Sequence, residues 1–105
     1  MSPRKNFSHL DHRLADALEV MGEWWTPLII VAVSNGAFRF EAIQNSLGIA
    51  RNILTDRLNT LVAGGVLEKR MYTEKPQRYE YHLTGKGEEL IPILKDLEKW
   101  GTRHH

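Results

Sequence analysis

The residues here that could do chemistry at a metal or a nucleophile are few: five histidines, thirteen carboxylates and no cysteine. Without cysteine there are no disulfides, thiolate zinc ligands, cysteine nucleophiles or thiol redox switches. His9 and His12 stand three apart and could share a metal if helical, but no carboxylate or cysteine triad accompanies them. They read as a surface pair, and no His-Glu-x-x-His zinc signature occurs anywhere. Gly85-Lys86-Gly87 lacks the spacing of a phosphate-binding loop, and Ser2, Ser8, Ser34 and Ser46 have no paired base. Glu88-Glu89 suit the start of a helix, where the dipole favours negative charge. The chain is therefore read as no enzyme, with no metal and no cofactor. Trp24, Trp25 and Trp100 could line a ligand pocket, but large aromatics also dominate interfaces, and a seam between helices is favoured.

A second set of residues points to nucleic acid. Asn52, Thr55, Asp56, Asn59 and Thr60 fall on the outer half of a helix whose inner half is Leu54, Leu58 and Leu61, with Arg51 at its N-terminal end. Arginine matches guanine edges, asparagine matches adenine, and threonine suits a methyl group or a phosphate. Asp56 would repel phosphate there, so it either pairs with a neighbouring arginine or reads cytosine. Lys75 and Arg78 flank Pro76 in a polar stretch suited to phosphate or the minor groove. Arg39 stands at the start of another helix, whose N-terminus adds its own attraction for phosphate.

The elements that must position these groups are legible from periodicity. Leu10, Leu14, Ala17, Leu18 and Met21 mark a first amphipathic helix, ending near Gly22. Thr26-Pro27 reads as a cap and first turn for an apolar helix over Leu28 to Val33, stopped by Asn35-Gly36. Phe40, Ile43 and Leu47 make a short third helix closed by Gly48, and Ala50 to Ala63 a fourth closed by Gly64-Gly65. Two β-rich runs, 66–72 and 78–83, flank a five-residue tip, Thr73 to Gln77. Thr84 caps a last helix bearing Leu90, Ile91, Leu94, Leu97 and Trp100. The fold class is therefore α+β and mostly helical: a winged helix-turn-helix in a single domain over 1–105. The helix-turn-helix spans about 39–64, the two-stranded hairpin wing about 66–83, and the terminal helices about 10–22 and 85–101.

Composition fits one small globular domain, with 26% charged and 42% hydrophobic residues. The net charge of +1 hides an uneven distribution. Residues 36–86 carry eight basic and five acidic side chains, while each end carries three basic and four acidic. A basic centre suits a polyanion. No apolar run reaches the roughly 18 residues of a membrane span. The N-terminal stretch has charge with no apolar run behind it, so no secretion signal is expected, and the absence of cysteine fits the cytoplasm.

The run RFEAIQNSLGIARNILTDRLNTLVAGGVLEKRMY, then RYEYHLTGKGEEL, with LADALEVMGEWWTPLII upstream, resembles the HxlR-type winged helix-turn-helix regulators of bacteria and archaea. The resemblance covers roughly residues 10–101. Arg39-Phe40, Leu54, Leu58, Leu61, Gly65-x-Leu67, Glu80-Tyr81 and Leu83-Thr84 are its most specific matches. It implies a homodimeric regulator of double-stranded DNA, with 50–64 as the reading helix, 73–77 as the wing tip and dimer contacts from the terminal helices. The apolar stripes on the first and last helices supply the residues expected in that dimer: Leu10, Leu14, Leu90, Leu94, Leu97 and Trp100. Two departures stand out. Many members of the family have a cysteine where this chain has His12, and Pro27 and Val31 replace a leucine and a charged residue. The expected partner is an inverted-repeat operator, and nothing points to a small-molecule effector or a membrane. The competing reading is a winged-helix protein-interaction module that does not read DNA.

Overall fold

A computed structural model describes residues 13–21 and 23–105. In chain order the elements are α1 (Arg13–Val20), α2 (Trp25–Ser34), α3 (Phe40–Leu47), α4 (Arg51–Ala63), β1 (Leu67–Thr73), β2 (Arg78–Leu83), α5 (Gly85–Glu88) and α6 (Leu90–Arg103). The two strands form an antiparallel hairpin, with Leu67 opposite Leu83 and Met71 opposite Tyr79. Near the tip the register slips between Met71 and Thr73, leaving Tyr72 as an extra residue.

The core gathers Ile29, Ile30 and Val33 of α2, Ile43 of α3, and Leu54, Leu58 and Leu61 of α4. Val66, Leu67, Tyr81 and Leu94 close it. Each such aliphatic side chain contributes about 1.5–3 kcal/mol when fully buried. That burial fixes which side of α4 remains for other work.

Three local details differ from the sequence expectation. First, α2 begins at Trp25, and Thr26 is buried inside the helix instead of capping it. The cap comes from Glu23, whose Oε1 accepts the Trp25 N–H at 3.1 Å. Pro27 then sits in the first turn, where a missing N–H costs nothing. Second, the last helix is two. Pro92 cannot donate to the preceding turn, and the chain breaks at Glu89 between α5 and α6.

The third difference concerns the dimer stripe. Leu94 is only 6% exposed and belongs to the chain's own core, with Leu90 and Ile91 packed against it. These residues therefore leave little surface for a partner. The physical reason is length. The first turns of α6 pack on the body of the protein, and the helix then outruns it, so every residue from Lys95 to Trp100 is exposed. Ile93, Leu97 and Trp100, at spacings of four and three, are the apolar groups left uncovered. On α1, Ala15 faces inward and Leu14 and Leu18 are exposed. Leu10, His9 and His12 lie outside the described residues.

The segment after β2 clamps the end of α4. The Thr84 hydroxyl donates to the Gly65 carbonyl at 2.6 Å and accepts the Gly87 N–H at 3.1 Å. The Lys86 ammonium donates to the Gly64 carbonyl at 2.9 Å. Gly65 has a φ of +74°, the left-handed conformation that glycine adopts without steric cost.

Candidate nucleic-acid interface

The geometry of α4 follows from its two neighbours. The α3–α4 turn is tight because Gly48 takes a φ of +67° and returns its N–H to the Gln44 carbonyl at 2.8 Å. The Gln44 side chain donates to the Ile49 carbonyl at 3.3 Å, and Ile49 plugs the core. With Leu54, Leu58 and Leu61 fixed inward, Asn52, Thr55 and Asn59 are exposed. The Thr55 hydroxyl donates to the Arg51 carbonyl at 2.9 Å, so its methyl group and its oxygen as an acceptor are what remain to meet a base. Arg51 begins the helix with its guanidinium 4.6 Å above the Phe40 ring, which seats a cation at the helix–helix junction.

At the wing tip, Lys75 and Arg78 are exposed and form no ion pair among the described residues. Arg39 is different. Its Nε lies 3.4 Å from Glu80 Oε2, and its guanidinium sits 4.1 Å over the Tyr72 ring. The expected phosphate ligand is thus tied to the wing. Glu80 also receives His82 Nε2 at 2.9 Å, and His82 stacks on Phe38 at 4.2 Å. The hydrogen bond from His82, more than that from Arg39, holds the Glu80 carboxyl below its ordinary range against a smaller desolvation effect. The Tyr81 N–H completes the join by donating to the Phe38 carbonyl at 2.7 Å. The hairpin is therefore fastened to the helix-turn-helix at its base and free at its tip.

Asp56 resolves toward the first of its two readings, because it pairs with Arg57. Arg57 itself was missed by sequence reasoning, as were Glu80 and His82. Asp56–Arg57 and Glu80–His82 are local pairs, but the contacts that join elements, Arg57 to Glu23 and Arg39 to Glu80, are set by tertiary packing. Trp24, Trp25 and Trp100 do not line the main cleft. That cleft, of about 580 Å3, opens between Phe38, Arg70, His82, Glu88, Ile91 and Pro92. No group of three or more metal-ligating side chains occurs among the described residues. No single helix among them is long and apolar enough to cross a membrane.

A tight helix–turn–helix, a protruding antiparallel wing and an exposed polar face on the second helix define a winged helix-turn-helix transcription regulator. Comparison with known proteins gives the family. The HxlR-like helix-turn-helix family model matches residues 20–105, and the chain belongs to that family. It is 36% identical over 98 residues to the uncharacterized HTH-type transcriptional regulator YvaP of Bacillus subtilis, covering 92% of this chain and 91% of that protein. Against mycobacterial HTH-type regulators of 37% identity it spans 65% of their length. Among solved structures, PA1607 superposes with a TM-score of 0.85 at 36% identity, over 94% of this chain and 69% of that one. The redox regulator HypR, in its reduced form, gives 0.81 at 28% identity, over 88% and 92%. These relatives are all named as regulators or transcription factors.

Proposed function

We propose that the protein is a sequence-specific regulator that binds double-stranded DNA as a homodimer, with no cysteine-based switch. The observation that carries this reading is the division of α4: leucines buried on one side, Asn52, Thr55 and Asn59 exposed on the other, and Arg51 at its entry. In this reading α4 lies in the major groove, and Lys75 and Arg78 of the wing contact phosphate or the minor groove. Paired through their terminal helices, two copies present two reading helices to successive major grooves roughly 34 Å apart. The operator is then an inverted repeat, and the protein acts where the DNA is, in the cytoplasm.

A contact series tests this. Arg51→Ala and Asn52→Ala are expected to cost about 1–3 kcal/mol each and to relax preference at particular base pairs. Lys75→Ala and Arg78→Ala should weaken binding to all duplexes alike, and lower the salt slope by about one unit for each lost contact. Competition gel shifts and salt titrations read both. Loss of sequence preference in the wing variants alone would exchange the two roles. Failure of the wild-type chain to distinguish any duplex would favour the protein-interaction module.

HypR is a redox regulator, whereas this chain has no cysteine. Diamide is therefore expected to leave DNA affinity unchanged. Release of the duplex within minutes of mild thiol oxidation would contradict this part of the proposal.

A further inference from the structure

Arg57 lies on the flank of α4 and not on its outer face. It is 21% exposed, and its two Nη atoms serve different elements. Nη2 pairs with Asp56 of the same helix, and Nη1 lies 3.8 Å from Glu23 Oε2 in the turn between α1 and α2. Glu23 uses its other oxygen, Oε1, to cap α2 through the Trp25 N–H. One guanidinium thus joins the reading helix to the junction from which α1 departs, and α1 carries the exposed Leu14 and Leu18. The same guanidinium pairs with the Asp56 carboxylate, which would otherwise repel phosphate.

We propose that Arg57 is a positioning residue: bridging Asp56 and Glu23, it sets the orientation of α4 relative to the α1 face and so the half-site spacing the dimer accepts. The proposal rests on the DNA reading above. The fixed fork of an arginine suits it, because two carboxylates on different elements are held at a defined separation by one planar group.

The experiment uses the full chain and a duplex recovered by selection from a random pool with the wild-type protein. That duplex is also made one base pair longer and one shorter at its centre. Wild type should prefer one spacing. Arg57→Gln should lose about tenfold in affinity for that duplex, within the range of coupled contacts. It should also bind the three spacings nearly alike, with its salt slope unchanged. Arg57→Lys should restore part of the preference. Glu23→Gln is the second variant: it keeps a cap acceptor for the Trp25 N–H while removing the negative charge that faces Arg57. It should reproduce the flattened spacing preference at unaltered melting temperature, and add little to Arg57→Gln. A salt slope reduced by about one unit would make Arg57 a direct phosphate contact and overturn the proposal. An intact spacing preference in both variants would do the same. Absence of any duplex preference in wild type would overturn the DNA reading as well, which keeps the two failures apart.

Discussion

Ile93→Glu combined with Leu97→Glu is expected to leave a folded chain that sediments near its monomer mass of 12.1 kDa and no longer retains its operator. The argument starts from what a lone chain leaves in water. Leu14, Leu18, Ile93, Leu97 and Trp100 are all exposed, Leu97 at 59%. Apolar surface on this scale on two helices marks an interaction face. Burial of one such side chain is worth about 1.5–3 kcal/mol, and two-fold symmetry counts each residue twice. Glutamates placed there would instead bury unpaired charge, which costs several kcal/mol. Dimer dissociation should rise by at least about a hundredfold, and operator affinity should fall by a similar factor once the second half-site no longer binds intramolecularly. Both residues are exposed, so helical circular dichroism should be unaffected. Leu94→Ala serves as the contrast. Its side chain is buried, and its truncation should cost about 2–5 kcal/mol of stability with no direct effect on pairing. A double variant that remains dimeric at micromolar concentration would remove this face from the interface. A monomeric wild type that holds its operator tightly would remove the dimer from the function.

Much of this architecture is written in local pattern. The leucine spacing of α4 and the glycines at 48 and 65 are short-range signals, and the helix-turn-helix and hairpin stand where those signals put them. The exposed polar face of α4 follows from the same arithmetic, because burying three leucines on one side leaves Asn52, Thr55 and Asn59 on the other. What periodicity cannot supply is where the body of the protein ends. Leu90, Leu94 and Leu97 form a continuous helical stripe on paper, yet the core covers the first two and stops before the third. Distance-dependent pairs are equally silent. Arg39 and Glu80 are 41 residues apart, and only the fold brings a basic residue expected on phosphate against a carboxylate of the wing. The cap of α2 shows the limit at short range. Thr26 is the better cap by residue type, but the core claims it, and Glu23 supplies the acceptor instead.

Gly87→Ala should be among the most damaging single substitutions in the chain, although nothing in the sequence sets position 87 apart from Gly85 in the same first turn. A Cβ at this position would stand 2.3 Å from the Val66 carbonyl oxygen and 3.1 Å from Leu83 Cδ2. The first contact is with backbone, so no rotamer change relieves it. Either α5 or the turn that ends α4 must move. Moving α5 breaks the bond from the Gly87 N–H to the Thr84 hydroxyl, and with it the hydroxyl's grip on Gly65. Overpacking costs about 1–3 kcal/mol and a lost cap about 0.5–2. Each kcal/mol lowers the melting temperature by roughly 4–8 °C in a domain near this size. A fall of about 10 °C or more is expected. Gly85→Ala supplies the control two residues earlier. Nothing lies within 4 Å of its added Cβ and its φ is not positive, so alanine there should be neutral or stabilising by a few tenths of a kcal/mol. Thermal denaturation of the two variants side by side decides the matter. Equal melting temperatures would mean that α5 does not sit against the Val66 carbonyl, and that the clamp on the reading helix is not the reason for the glycine.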